Sequence, residues 1–291
     1  MISPKIWAMW SMSGNADKVY KRRFFIRLRQ TDWRIVRSVM SIVGVSMKKR
    51  VSVIMLSFLC VLLSACNDMK KIEPEKYFTG PQLVLAKAIQ AADSESVIRL
   101  SKTTDLNTPG NEHFTLLLFA LNEVMYNGNS QKRLDIVTEL VRAGADPQQA
   151  QPNARGTPAQ MMAMGDKDIW LKALLDGGLD PNSRDKLLNV PLIFSALSAK
   201  NTATLALLIE RGADINTRDT LGETPLVDAF FRTDFDKVYF LLEHGANPNP
   251  VNKQGRSFSQ MLDRNLQQVK QGTEYYDHVV KLKEKIDSMS Q

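Results

Sequence analysis

The phrase Gly144-Ala145-Asp146-Pro147 returns as Gly178-Leu179-Asp180-Pro181, Gly212-Ala213-Asp214-Ile215 and Gly245-Ala246-Asn247-Pro248, with the glycines 34, 34 and 33 residues apart. A fixed period in the low thirties means a stack of small units, none of which buries its apolar face alone. Counting back seven, four and three places from each Gly gives one column. Its members are Val137, Leu140 and Val141, then Leu171, Leu174 and Leu175, then Leu205, Leu208 and Ile209, then Val238, Leu241 and Leu242. All are apolar, at the i, i+3, i+4 spacing of a single helix face. The Gly that follows marks the end of that helix, where a left-handed residue costs least without a Cβ. Thr157-Pro158 and Thr224-Pro225 mark the start of another, the hydroxyl capping free N–H groups and the Pro needing none. Val190-Pro191 keeps the Pro at that register and Thr115-Leu116 keeps only the Thr.

Each unit therefore reads as a capped helix, a turn, an amphipathic helix, a Gly stop and a loop. Phrase, period and Thr-Pro starts together resemble ankyrin repeats. The resemblance implies an all-α ankyrin-repeat solenoid of helix-turn-helix units, their loops projecting as β-hairpin fingers. Asp105-Leu106-Asn107 echoes Asp214-Ile215-Asn216, so residues 82–107 read as a degenerate first unit. Asp105 lies 41 residues before Asp146, and the surplus is placed near residues 122–132, whose 126–130 run has loop chemistry. Gly255-Arg256-Ser257-Phe258 copies the register of Gly222-Glu223-Thr224-Pro225. The following polar helices, with Tyr275, Val279, Leu282 and Ile286 on one face, read as the terminal cap such arrays need. The repeat domain is set at 82–288.

The front of the chain reads as an address. Met47-Lys48-Lys49-Arg50 and the uncharged run 51–62 have the form of a secretory signal. The run closes on Leu63-Ser64-Ala65-Cys66, which resembles the lipobox of bacterial lipoproteins. That resemblance implies cleavage of a 47–65 signal peptide before Cys66, lipidation of Cys66 and a linker over 66–81. A transmembrane helix is the competing reading, but the run is shorter than the roughly 20 apolar residues a span takes. Residues 1–46 read as an upstream extension ahead of a later start at Met47. If the longer product is made instead, export is poor and a cytosolic pool results. Asn67, in place of the Asp that in this family favours inner-membrane retention, points to the periplasmic face of the outer membrane.

This division changes the meaning of the composition. The whole chain has 38 Lys and Arg against 31 Asp and Glu. Nine of those bases and two of those acids precede Met47, and Lys48, Lys49 and Arg50 belong to the leader. Residues 66–291 keep 26 basic and 29 acidic residues, so the basic total is no sign of a nucleic-acid partner. Cys60 lies in the discarded run and Cys66 bears lipid, leaving no thiol for a disulfide, zinc or a nucleophile. His113, His244 and His278 are scattered, and there is no His-Glu-x-x-His, Gly-x-Ser-x-Gly or phosphate-cradling Gly loop. The expectation is a protein that is not an enzyme and has neither cofactor nor metal.

Ankyrin arrays bind proteins on the side formed by fingers and inner helices. Carried over by register, that surface contains the tips Arg184-Asp185-Lys186-Leu187, Arg218-Asp219-Thr220-Leu221 and Asn252-Lys253-Gln254. Its inner-helix candidates are Met161, Met164, Phe194, Phe231 and Arg232. The plainer alternative makes the Arg-Asp pairs solvated loop residues and the Met and Phe side chains core. Aromatic, Met and Arg side chains are enriched in interface cores. Charge reversal at Arg184 with Arg218 is expected to weaken partner binding while the fold survives. Trp170, eight places before its Gly, is either a half-buried packing residue or an anchor on the convex side. The functional expectation is a lipid-anchored, periplasm-facing protein that binds another protein. Similarity to bacterial ankyrin lipoproteins narrows this to an immunity protein that neutralises a lipase effector of type VI secretion. A general envelope scaffold or oxidative-stress factor is the alternative.

Overall fold

A computed structural model describes residues 72–152 and 156–289. The leader, the lipobox with Cys66 and the upstream extension lie outside the described residues. One compact unit begins at Pro74. Its helices come in pairs: α1 Gly80–Gln90 with α2 Ser94–Ser101, α3 Leu116–Asn127 with α4 Gln131–Arg142, α5 Pro158–Ala163 with α6 Asp168–Asp176, α7 Leu192–Ala196 with α8 Ala203–Glu210, α9 Pro225–Phe231 with α10 Phe235–Glu243, and α11 Phe258–Gln268 with α12 Glu274–Met289. The first helices of successive pairs pack on one another, α1 on α3 and α5 on α7 on α9. The second helices do the same, α2 on α4 on α6 on α8. The result is a two-layer stack with an inner and an outer row.

The column read from the sequence is the core of the outer row. Eleven of its twelve residues are buried, and Ile209 alone is half-buried. Four of the outer helices, α4, α6, α8 and α10, end in the same Schellman arrangement. The residue after the Gly donates its N–H to the carbonyl five places back, as Ala145 does to Leu140, Leu179 to Leu174, Ala213 to Leu208 and Ala246 to Leu241, at 2.9 to 3.1 Å. The four glycines have φ between 90° and 114°, the left-handed side an L residue enters only at a cost. Ala145, Leu179, Ala213 and Ala246 are buried as the apolar contact that completes the motif. Gly177 is required for a different reason: a Cβ there would lie 2.6 Å from Val141 Cβ and 2.9 Å from the Thr138 carbonyl of the preceding unit.

The third residue of each phrase also has a local task. Asp146, Asp180, Asp214 and Asn247 each accept the backbone N–H two residues on, closing the loop that follows the Gly. Asparagines then join neighbouring units. Asn107, Asn182 and Asn216 donate their amide to the carbonyl of Gly144, Gly212 and Gly245 and accept the N–H of Asp146, Asp214 and Asn247. Where the register offers Gln148 instead, its longer side chain reaches Ser183 Oγ of the next loop.

Helix starts follow the capping expectation with two departures. Thr157 forms a full capping box with Gln160, as Ser257 does with Gln260, and Thr115 accepts the Leu118 N–H. Thr224 stands at the N-cap of α9 without a side-chain cap bond. In the unit that carries Val190-Pro191, Pro191 is itself the N-cap and α7 starts one residue later.

Three expectations are corrected. The fingers are not two-stranded hairpins: among the described residues the β-structure is one isolated antiparallel bridge, Arg184 to Pro191. Tight turns replace the ribbons because a side-chain oxygen closes each one. Asp185 accepts the N–H groups of Leu187, Leu188 and Val190, Asp219 those of Leu221 and Glu223, and Asn252 those of Gln254 and Arg256. The surplus near residues 122–132 is mostly helix. It lengthens α3 and α4 to 12 residues each, leaving Gly128, Asn129 and Ser130 as the connection. Tyr126 and Asn127 belong to α3 because the apolar pattern of that helix runs on through Val124. Residues 74–80 are part of the fold rather than linker. Phe78 is buried, stacked on Phe114 and edge-on to Phe119, and the Tyr77 ring lies tilted against Phe114.

Asp105 and Asp166 are held below the usual carboxylate range. Thr108 and then Asn107 donate to Asp105, and the Lys200 amide donates to Asp166. A carboxylate depressed in the folded state binds fewer protons there than in the unfolded chain. Its stabilisation is present above the unfolded pKa of about 4 and is lost as pH falls through the folded one. The denaturant midpoint is therefore expected to hold steady near neutrality and to drop below about pH 4. Denaturant unfolding measured across that range checks it.

Candidate protein-binding surface

The loops that close the units stand side by side and are laced together by arginine. The Arg184 guanidinium donates to the Asn189 carbonyl at 2.9 Å within its own finger. It also reaches Thr217 Oγ1 at 3.1 Å and the Arg218 carbonyl at 2.8 Å in the next. Arg218 repeats the pattern one unit on, donating to the Gly222 carbonyl at 3.0 Å and the Val251 carbonyl at 2.6 Å. Lys253 returns the link, its Nζ 2.6 Å from the Thr220 carbonyl. Three consecutive fingers, residues 184–190, 218–223 and 251–256, thus form one surface.

The site residues expected from sequence divide on this surface. Asp185 is buried and spent on its turn, and Asp219 is half-buried in the same task. Arg184 and Arg218 are half-buried ties between units. Lys186 is exposed and pairs with Asp146 at 2.8 Å. On the inner row Met161 and Phe194 are core residues, and Met164 is half-buried at the end of α5. Phe231 is 62% exposed, and Arg232 beside it pairs with Asp228 at 2.9 Å and reaches Ser198 Oγ at 3.2 Å. Trp170 is half-buried and donates its indole N–H to Asn129 Oδ1 at 2.9 Å, with Lys167 Nζ 5.5 Å above the ring. It packs the helical extension against the next unit.

The expectation that the fold survives charge reversal at Arg184 and Arg218 is therefore revised. Glu at both positions puts carboxylates against carbonyl oxygens and removes five hydrogen bonds. A loss of about 1–3 kcal/mol is expected, read as a lower denaturant midpoint of the double variant.

Sequence reasoning placed Leu187 and Leu221 on the tips without singling them out, and it passed over Leu188 and Val251. Leu187 is 79% exposed, Leu188 71%, Leu221 59% and Val251 49%. These four are half of the large hydrophobic side chains exposed among the described residues, and all lie on the three laced fingers. The first finger is wider than the second. Asp185 N–H closes on the carbonyl of Val190, five residues on, whereas Asp219 N–H closes on Glu223, four on. The late start of α7 gives the turn that extra residue, which leaves both leucines in solvent. Val190 in place of the capping Thr was the available signal.

A family model described as ankyrin repeats in three copies matches residues 161–252. The chain carries ankyrin repeats. It is also similar to the crystal structure of the ankyrin repeat domain of Bcl-3, described there as a unique member of the IkappaB protein family. The identity is 28% and the TM-score 0.50, over 62% of this chain and 80% of that one. A comparison with curated proteins finds no match. Solved structures that match number 412 chains, so the fold alone selects no particular partner. Ankyrin repeats bind protein partners, and the fold is typically a non-catalytic interaction scaffold.

Proposed function

We propose that the protein is a lipid-anchored, periplasm-facing ankyrin-repeat protein whose laced fingers bind a partner protein, and that the partner is a lipase effector of type VI secretion which it neutralises. The observation that carries the binding surface is the run of Leu187, Leu188, Leu221 and Val251 on consecutive fingers. Apolar area gathered in one patch and left in water marks an interaction site. Phe231, at the end of the inner helix α9, is a further exposed apolar side chain. The arginine ties hold the fingers before a partner arrives, which lowers the ordering cost of binding. Anchoring rests on the basic start, the apolar run and Leu63-Ser64-Ala65-Cys66. A tether at the membrane raises the local concentration of inhibitor against an enzyme that attacks lipid there.

Two measurements test this reading. Palmitate labelling with membrane fractionation is expected to label the wild type and to leave the Cys66→Ser variant unlabelled and soluble. An unlabelled wild type in the soluble fraction removes the anchor. For the partner, a lipase encoded beside this gene is expressed in the periplasm with and without the protein. Protection by the wild type, lost in a Leu187→Ser, Leu188→Ser variant that still folds, supports neutralisation. No neighbouring lipase, or no protection, contradicts it.

A further inference from the structure

On the three laced fingers every exposed charge is a cation. Lys186, Lys253 and Arg256 stand in solvent, while the acids of the same segments turn inward. Asp185 and Asp219 are taken up by backbone N–H groups, and Glu223 accepts the Asn252 side-chain amide at 2.8 Å. Arg184 and Arg218 add two further positive charges whose hydrogen bonds all go to neutral oxygens. Among the described residues the one carboxylate that meets a fingertip cation is Asp146 from the preceding loop, on Lys186. The region 66–291 has more acids than bases, so this positive surface runs against the charge of the body that carries it. Cations and exposed leucines are interleaved over the same few residues: Lys186 beside Leu187 and Leu188, and Val251 two residues before Lys253.

We propose that the segment of the partner received by these fingers is acidic and carries spaced apolar side chains. This rests on the protein-binding surface argued under Proposed function and adds the chemistry of what it takes. A carboxylate placed near Lys253 and Arg256 meets charge that is already unpaired by acid, and it suffers no competition from Asp185 or Asp219. Complementary charge of this kind raises the association rate and rejects basic competitors. The leucines supply the desolvated contact that makes the complex last.

The test works without an identified partner. A random peptide library displayed on phage is panned on the full chain, and the enriched peptides are synthesised with a fluorescent label for anisotropy. Three forms are compared: wild type, Leu187→Ser with Leu188→Ser, and Lys253→Gln with Arg256→Gln. Thermal melts of all three accompany the binding data. Enriched peptides are expected to combine Asp or Glu with Leu or Phe. Their affinity is expected to fall about tenfold in each variant and to weaken as salt screens the exposed charges. Peptides without net negative charge that still depend on Leu187 and Leu188 overturn this inference and leave the binding surface standing. Peptides indifferent to both variants overturn the surface itself. Phosphatidylcholine vesicles containing phosphatidylglycerol form the remaining arm. Vesicle uptake that depends on Leu187 and Leu188, with no peptide enriched, assigns the fingers to lipid and overturns the proposal, as does the absence of both.

Discussion

Replacing Leu208 by Ala is expected to cost the protein on the order of 2–5 kcal/mol, the range for truncating a fully buried Leu. Leu208 has no exposed surface in α8, and its carbonyl also receives the Ala213 N–H in the Schellman arrangement that ends the helix. The cost arises from the cavity and the lost transfer energy, because a helix fixed by packing on α6 and α7 collapses only partly into the gap. In a stack whose units contact only their neighbours, the loss spreads to the adjoining units and broadens the transition. Ile209→Ala in the same helix supplies the control. Ile209 is half-buried, so its truncation is expected to cost nearer to about 1 kcal/mol. Denaturant unfolding of the two variants ranks the faces of the helix; equal midpoints would mean the buried face is misassigned.

Glu123→Ala is the second large expected loss, at about 3 kcal/mol. Glu123 is 1% exposed in the extended part of α3. Its Oε2 takes Arg133 at 3.1 Å and the Asn127 amide at 2.8 Å, and Arg133 continues to the Gln90 carbonyl at 3.2 Å. One carboxylate thus ties the α3 extension to the start of α4 and the end of α1. Truncating it leaves a guanidinium that is mostly out of water without its counter-charge. That is the costly half of a buried pair, whereas removing both charges together is often neutral. The double variant Glu123→Leu, Arg133→Leu is accordingly expected to recover most of the stability that Glu123→Ala loses. If both single and double variants melt as the wild type does, the pair does not hold the extension.

The stack is legible in the sequence because its rules are local. The i, i+3, i+4 column, the left-handed Gly and the Thr cap each act within a few residues, and repetition lets every unit check the others. The extension resists reading because Tyr126, Asn127, Gly128, Asn129 and Ser130 have loop chemistry one by one. The apolar run from Leu116 to Val124 and the Glu123–Arg133 pair nevertheless continue the helix. Arg184 and Arg218 look like surface charge because their acceptors lie 33 or 34 residues away on another unit. No window on the sequence shows that reach. The repeat register places the fingers correctly, yet in sequence their charges are more conspicuous than their apolar residues. In the fold Asp185 and Asp219 turn inward, while Leu187, Leu188, Leu221 and Val251 stay in solvent.

The claim on which the functional account turns is that partners meet the fingers. Site-specific photocross-linking in the living cell addresses it directly. Benzoylphenylalanine is placed at position 187, at position 221 and, as the contrast, at position 172 on the exposed side of α6. Irradiation is predicted to give a discrete higher-mass adduct from positions 187 and 221 and none from 172. An adduct from 172 with none from the fingers would contradict the account and move the binding surface to the outer row of helices.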